Sequence, residues 1–478
     1  MYQTPFVFPE SKMSIRKFIG DRAFYKKVLA VSVPIMVQSG ITNLVNLLDN
    51  IMVGRLGTES MSGVSIVNQF IFIFNLMIFG AISAAGIFTA QYHGMNDEQG
   101  ERYTFRFKFL VSLAATVLAI GVFFVFDDAL ISLFLHGEGS SGDLALTLSE
   151  GKKYLMIMLV GLVPYAISQV YASTMRETEQ TVVPMISSIS AVLVNFVLNY
   201  VFIFGKLGLP ALGVRGAALA TVISRFAELA VLLVWGYTHK SKCRYLVGAF
   251  RSFRIPRKLF ARISIKGLPL MANEVFWAIS VMLRNQCYST RGLDAVAAQN
   301  ISSTIVNLFN VVFLSIGSSI AIIVGNLLGA GKFDEARDAD RKLMAFSTAC
   351  ATGMASLLVL CSPLFPMLYN TDDSVRSLAT FMMIVSAAVM PFAAFAHAAY
   401  FTLRSGGKVI VTLLFDSAYM WSVVLSACFI CAHLTDMNIH LLFIICQGIE
   451  ALKCIFGVIL LKRGDWVRQL VADQSLKQ

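Results

Sequence analysis

Four ionisable residues stand in long apolar stretches with no opposite charge one helical turn away: Asp49, Glu274, Arg284 and Asp416. A charge at the centre of a bilayer costs about 2.5–3.5 kcal/mol on insertion scales, so such residues usually face a cavity or a partner. A carboxylate in a partly desolvated pocket can exchange a proton near neutral pH. The same carboxylate can instead hold Na⁺ with the help of amide oxygens. Asn195 and Asn199, four apart and therefore on one helical face, can supply those oxygens. Asp49, Asn195 and Asn199 are thus the candidate cation-coupling residues. Glu274, Arg284 and Asp416 are candidates for the cavity wall in the second half of the chain. Two further charge pairs, Arg225 with Glu228 and Glu450 with Lys453, are three apart and are expected to neutralise themselves locally. Cys428 and Cys431 form a C-x-x-C, but in an apolar run without a second ligand pair, and read as small buried hydrophobes. Neither a Gly-x-Gly-Asp nor a His-Glu-x-x-His motif is present, so no enzyme, metal site or bound cofactor is expected; Na⁺ or H⁺ would serve as the coupling ion.

These residues need membrane helices to hold them. Hydrophobic residues are 57% of the 478, charged residues 14%, and mean hydropathy is +0.71. A soluble chain carries about 25% charge, so this one is a multi-pass membrane protein. Spans of about 20 residues fall near 28–53, 61–90, 105–126, 149–172, 182–205 and 211–237. A second six fall near 267–290, 296–326, 343–368, 377–403, 409–434 and 438–462. The first 27 residues carry charges and prolines without a cleavable apolar core. With twelve spans, both termini and the central linker share one side. That side holds 29 of the 39 Lys and Arg, the other side seven. The positive-inside rule places it in the cytoplasm of a cell-membrane protein. The basic excess is therefore a topology signal and an attraction to lipid headgroups, with no role for nucleic acid.

The two sets of six are copies. Shifted by 235 residues, Pro34 to Arg106 aligns without a gap on Pro269 to Arg341, with 13 of 73 positions identical. Among them are Pro34/Pro269, Gly57/Gly292, Gly94/Gly329 and Arg106/Arg341. With one more residue of drift, Pro164 meets Pro391 and Arg176 meets Arg404. An even number of spans per copy gives parallel repeats about an axis normal to the membrane, with a cavity at their interface. The expected division is an amino lobe (1–237), a basic linker (238–266) and a carboxyl lobe (267–478), with Pro34 and Pro269 bending the first helix of each. The loops 93–98 and 328–333 are short polar turns whose glycines are expected to permit the tight chain reversal.

Several segments together resemble the multidrug and toxic-compound extrusion (MATE) transporters, in particular the DinF-like prokaryotic branch. They are Leu47–Gly57, Phe202–Gly205 through Pro210–Ala218, Pro269 with Asn273, Glu274 and Trp277, and Ala297–Ile301. The resemblance covers nearly the whole chain. It implies an all-α, twelve-helix, two-lobed V-shaped antiporter that expels small organic compounds against Na⁺ or H⁺. The family's first-helix aspartate matches Asp49 and its fifth-span asparagine matches Asn195. Asn199 stands where the DinF-like pattern often has Asp, and Trp277 stands where other branches have a glutamate.

The expected function is therefore cation-coupled export of small amphipathic or cationic compounds by alternating access, by a monomer embedded in the lipid bilayer. The abundance of Phe (37) and Met (21) suits an adaptable apolar cavity. The rival is a flippase for a lipid-linked precursor or an exporter of one endogenous metabolite. Flippases of that kind favour strongly cationic cavities, and here Arg284 is the one intramembrane base without a local partner.

Overall fold

The computed structural model describes residues 15–132, 144–369 and 371–472; the first 14 residues, part of the stretch in which no leader is expected, lie outside the described residues. Twelve long helices follow in chain order. The amino lobe has α1 (Arg22–Gly54), α2 (Thr58–Gly94), α3 (Glu98–Val125), α4 (Leu144–Glu177), α5 (Val182–Phe204) and α6 (Val214–Thr238). The carboxyl lobe has α7 (Arg257–Ser289), α8 (Leu293–Gly329), α9 (Phe333–Cys361), α10 (Asp373–Ser405), α11 (Val409–His433) and α12 (Ile439–Arg463). Eleven of them are long and apolar enough to cross a membrane. The other, α7, is 33 residues long but too polar by composition. Its first turns carry Arg257, Lys258, Arg262 and Lys266, and Asn273, Glu274 and Arg284 find partners inside the protein. The twelve-helix, two-lobed architecture expected from the sequence is the one the chain adopts.

The expected linker, 238–266, is shorter in the structure, because α7 already begins at Arg257. Leu259, Ile263, Gly267 and Leu270 lie buried on one face of α7, and that stripe extends the helix past the hydrocarbon layer. The remaining connection lies on the amino lobe. Cys243, Tyr245, Leu246 and Ala249 pack with Phe105, Tyr171 and Met175. Arg106 holds it by three carbonyls, those of Ala249 (2.7 Å), Gly248 (2.9 Å) and Arg254 (3.2 Å). These bonds engage all three guanidinium nitrogens, and Arg106 itself is buried.

The lobes meet on the linker side only in part of their height. One core cluster joins Ala84, Phe88 and Tyr92 of α2 to Leu259, Ile263 and Leu270 of α7 and to Leu470 and Val471 of the tail. Another joins Val28, Val31 and Ile35 of α1 to Ile320, Val324 and Leu328 of α8. On the far side the clusters around Val53 and Phe74, and around Cys287 and Ala295, each stay within one lobe. The joint is tight because two repeat-mates are glycine. A β-carbon on Gly94 would strike the Asn326 carbonyl, and one on Gly329 the backbone of Gln91. These glycines therefore serve a helix crossing rather than the turns expected of them. The left-handed residues of the two turns are another mated pair, Asn96 (φ 55°) and Gly331 (φ 74°).

Polar bonds lock the same joint. Gln91 donates to the carbonyls of Ser405 (3.1 Å) and Arg468 (3.2 Å) and accepts from the Leu470 amide at 2.6 Å. Its mate Asn326 donates to Glu179 at 2.9 Å, and Lys27 pairs with the same carboxylate at 2.9 Å. Glu179 lies in the turn between α4 and α5. Burial raises its pKa, but the bonds from Lys27 and Asn326 outweigh burial and hold it below the usual glutamate value of 4.5.

Candidate functional site

A cavity of about 560 Å³ lies between the lobes above this joint. Helices α1, α2, α4, α5 and α6 form most of its wall, and Ser318, Ile322, Phe401 and Arg404 face them from the carboxyl lobe. Asp49 and Asn195 line it, and Asn199 lies behind them. Asn199 Nδ2 donates to Asp49 Oδ1 at 2.6 Å and to Asn195 Oδ1 at 3.1 Å, and Asn195 Nδ2 contacts Thr221 Oγ1 at 3.3 Å. Turned over, the Asn195 amide donates instead to Asp49 Oδ1 at 2.9 Å and accepts from Thr221, at the cost of the bond from Asn199. In the first orientation Asn199 Oδ1 is buried without a hydrogen-bond partner. The three residues expected to act together on sequence grounds are thus in contact.

A polar chain runs from this group toward the joint. Arg225 donates to Glu228 at 3.1 Å, and Ser188 donates to the other oxygen of Glu228 at 3.1 Å. Gln38 donates to Ser188 at 2.8 Å and accepts from Arg176 at 3.4 Å. The expected local pairing of Arg225 with Glu228 is present. Below it, Lys108, fully buried, pairs with Glu177, which also lines the cavity.

The carboxyl-lobe candidates sit elsewhere. Arg284 pairs with Glu450 at 2.5 Å, and Lys453 pairs with Asp416. The local Glu450–Lys453 pairing expected from spacing does not form. The helix is interrupted at Leu452 between the two residues, and each turns to a different neighbour. Asp416 also accepts from Asn273 at 3.0 Å, and Glu274 accepts from the Tyr400 hydroxyl at 3.3 Å. Glu274, Arg284 and Asp416 are interior to the carboxyl lobe and are not among the residues lining the inter-lobe cavity. The expectation that they form its wall is corrected accordingly, as is that of an unpaired Arg284 or Asp416. Pro34 and Pro269 lie inside α1 and α7.

The carboxyl-lobe charge that does reach the cavity is Arg404, whose guanidinium lies 5.6 Å from the Phe79 ring and 5.5 Å from the Phe401 ring. Its mate Arg176 lines the opposite wall. The repeat alignment had paired these arginines, but their place at helix ends made them look like border residues. Gln38, Ser188 and Thr221 carried no signal apart from being polar in apolar helices.

Two six-helix lobes with a polar cavity at their interface define a multi-pass membrane transporter, not an enzyme. The chain belongs to the MatE family, whose model matches twice, at residues 34–201 and 269–430. Over 408 residues it is 22% identical to the "Probable multidrug resistance protein NorM" of Thermotoga maritima, covering 85% of each chain. The multidrug resistance protein MdtK of Edwardsiella ictaluri is 24% identical over 76% of this chain and 78% of its own. A crystal structure of MATE in complex with MaL6 superposes with a TM-score of 0.82 at 19% identity, covering 95% of this chain and 99% of that one. The family-model match establishes the family and leaves the DinF-like branch as an expectation.

Proposed function

We propose that this protein is a multidrug efflux antiporter that exports small amphipathic or cationic organic compounds in exchange for Na⁺ or H⁺ by alternating access. The observation that carries the reading is Asp49, a carboxylate in the wall of the inter-lobe cavity, bonded by Asn199 beside an unpartnered buried amide oxygen. An arriving proton or Na⁺ neutralises Asp49, and the two asparagines supply oxygens to a metal cation by turning their amides. The ion's influx across 100 mV releases about 2.3 kcal/mol per charge. The residue pattern of the basic side, 29 of 39 Lys and Arg, supports cytoplasmic termini in a plasma membrane. With that orientation the linker-side closure described above makes this the outward-facing state. The protein acts as a monomer with no resident cofactor.

The test is transport of a fluorescent organic cation in proteoliposomes, driven in turn by a pH gradient and by a Na⁺ gradient. Asp49→Asn is expected to leave folding and insertion intact and to abolish transport driven by either gradient. Transport by Asp49→Asn with wild-type ion dependence would overturn the reading.

A further inference from the structure

A second cavity, of about 760 Å³, lies on the linker side of the carboxyl lobe, away from the inter-lobe cavity. Its walls are α9 and α12, with Phe395 of α10 between them and Trp466 of the tail at one end. The chemistry along it is graded. Arg337, Arg341 and Lys462 stand at the linker-side ends of the helices, and Met344, Thr352 and Val458 continue toward the bilayer middle. The run from Arg341 to Thr352 spans about 16 Å of helix, roughly the depth of one leaflet's hydrocarbon.

Two of the three bases make no hydrogen bond or ion pair among the described residues, although Arg341 stands within electrostatic reach of the Asp340 carboxylate. Arg337 pairs with Asp334 at 3.1 Å, and the buried acid of the cleft, Asp340, accepts from Thr402 at 2.5 Å. Among the described residues, neither Arg341 nor Lys462 has a hydrogen bond or ion pair to another side chain, and both are exposed. The internal repeat shows what Arg341 lacks. Its mate Arg106 is held through all three guanidinium nitrogens by carbonyl oxygens of the linker. The linker that clamps Arg106 lies on the amino lobe. Among the described residues, no such carbonyl clamp is present on the equivalent guanidinium of the carboxyl lobe, which stands exposed at the open cleft and free to engage an oxygen-rich ligand.

We propose that this cleft binds one anionic phospholipid, with its phosphate between Arg341 and Lys462 and an acyl chain along Met344, Thr352 and Val458. A guanidinium and a phosphate match as forked donor and acceptor. Basic clefts between membrane helices on the positive side attract acidic headgroups. The apolar continuation of the cleft is what a lipid needs and a free anion does not.

Native mass spectrometry of the full chain, released from mixed phosphatidylglycerol and phosphatidylcholine nanodiscs, tests this. One phosphatidylglycerol is expected to be retained in preference to phosphatidylcholine. Replacing Arg341→Gln together with Lys462→Gln is expected to cut that retention roughly 10- to 30-fold, as two near-surface charges are lost. Thr352→Trp keeps both charges but fills the apolar end, and is expected to cut retention as well. Arg337→Gln, whose arginine is already paired, is expected to leave it within about two-fold. Each variant is compared at wild-type thermal unfolding. Equal retention of the two lipids, or wild-type retention by the double variant, would overturn the proposal. So would displacement by inorganic phosphate with wild-type retention in Thr352→Trp, which would mark a free-anion site.

Discussion

At the scale of single residues, the charges inside the membrane divide into those that the cavity uses and those that hold a lobe together. Arg284 belongs to the second kind, since it ties α7 to Glu450 on α12. Arg284→Ala should destabilise the protein by about 1–3 kcal/mol because the half-buried Glu450 loses its charged partner. Arg284→Met combined with Glu450→Leu should recover most of that loss; thermal unfolding in detergent reads both. Asn199 belongs to the first kind. Asn199→Leu removes a bond to a charged carboxylate and the spare oxygen beside it, and should raise the half-saturating coupling-ion concentration roughly tenfold or more, measured by transport against ion concentration. The contrast also explains what was legible in the sequence. Asn195 and Asn199 lie one turn apart on one helix, and an acid in an apolar run is conspicuous, so the contact of Asp49 with these two amides could be anticipated by inspection. The partner of Arg284 is 166 residues away, and local spacing offered a nearer but incorrect pairing of Glu450 with Lys453.

Among the elements, the crossing of α2 and α8 decides how closely the lobes can seal. Any side chain at Gly94 or Gly329 has backbone in its way, which cannot yield as a side-chain tip can. Gly329→Val should keep each lobe folded but hold the linker side apart. Spin labels on Q99C and K332C, one beyond each helix end, should then report longer distances than in the unsubstituted background. An unchanged distribution would mean that the crossing tolerates the extra volume. Both glycines were visible as identical repeat positions. Their role was not, because a glycine that permits a turn and a glycine that permits contact look alike until the partner helix is placed. The spans themselves were read well because hydropathy records burial in lipid. The early start of α7 at Arg257 was missed because Leu259 and Ile263 are buried by protein rather than lipid.

For the whole molecule, linker-side closure depends on Glu179, whose carboxylate joins Lys27 and Asn326 across the lobes. Its pKa is depressed below 4.5 in the closed form. The stabilisation it gives is therefore fully present above that value and is lost only as pH falls through the lower closed-form value. Closure should be unchanged between roughly pH 5 and 8 on account of this group, and Glu179→Gln should loosen it throughout that window. The same label pair measures this, and a wild-type opening transition near neutral pH would have to come from another residue.

Arg106 grips the linker as far as Arg254, and α7 starts at Arg257. Only Ile255 and Pro256 are left as slack, a leash of about 7 Å at full stretch. One corner of the carboxyl lobe is thus moored to the amino lobe whatever the rest does. The lobes cannot part on this side like the blades of shears turning about the central axis. They must swing like a door, with the start of α7 at the jamb and the separate α1–α8 contact around Val28 and Val324 as the edge that opens.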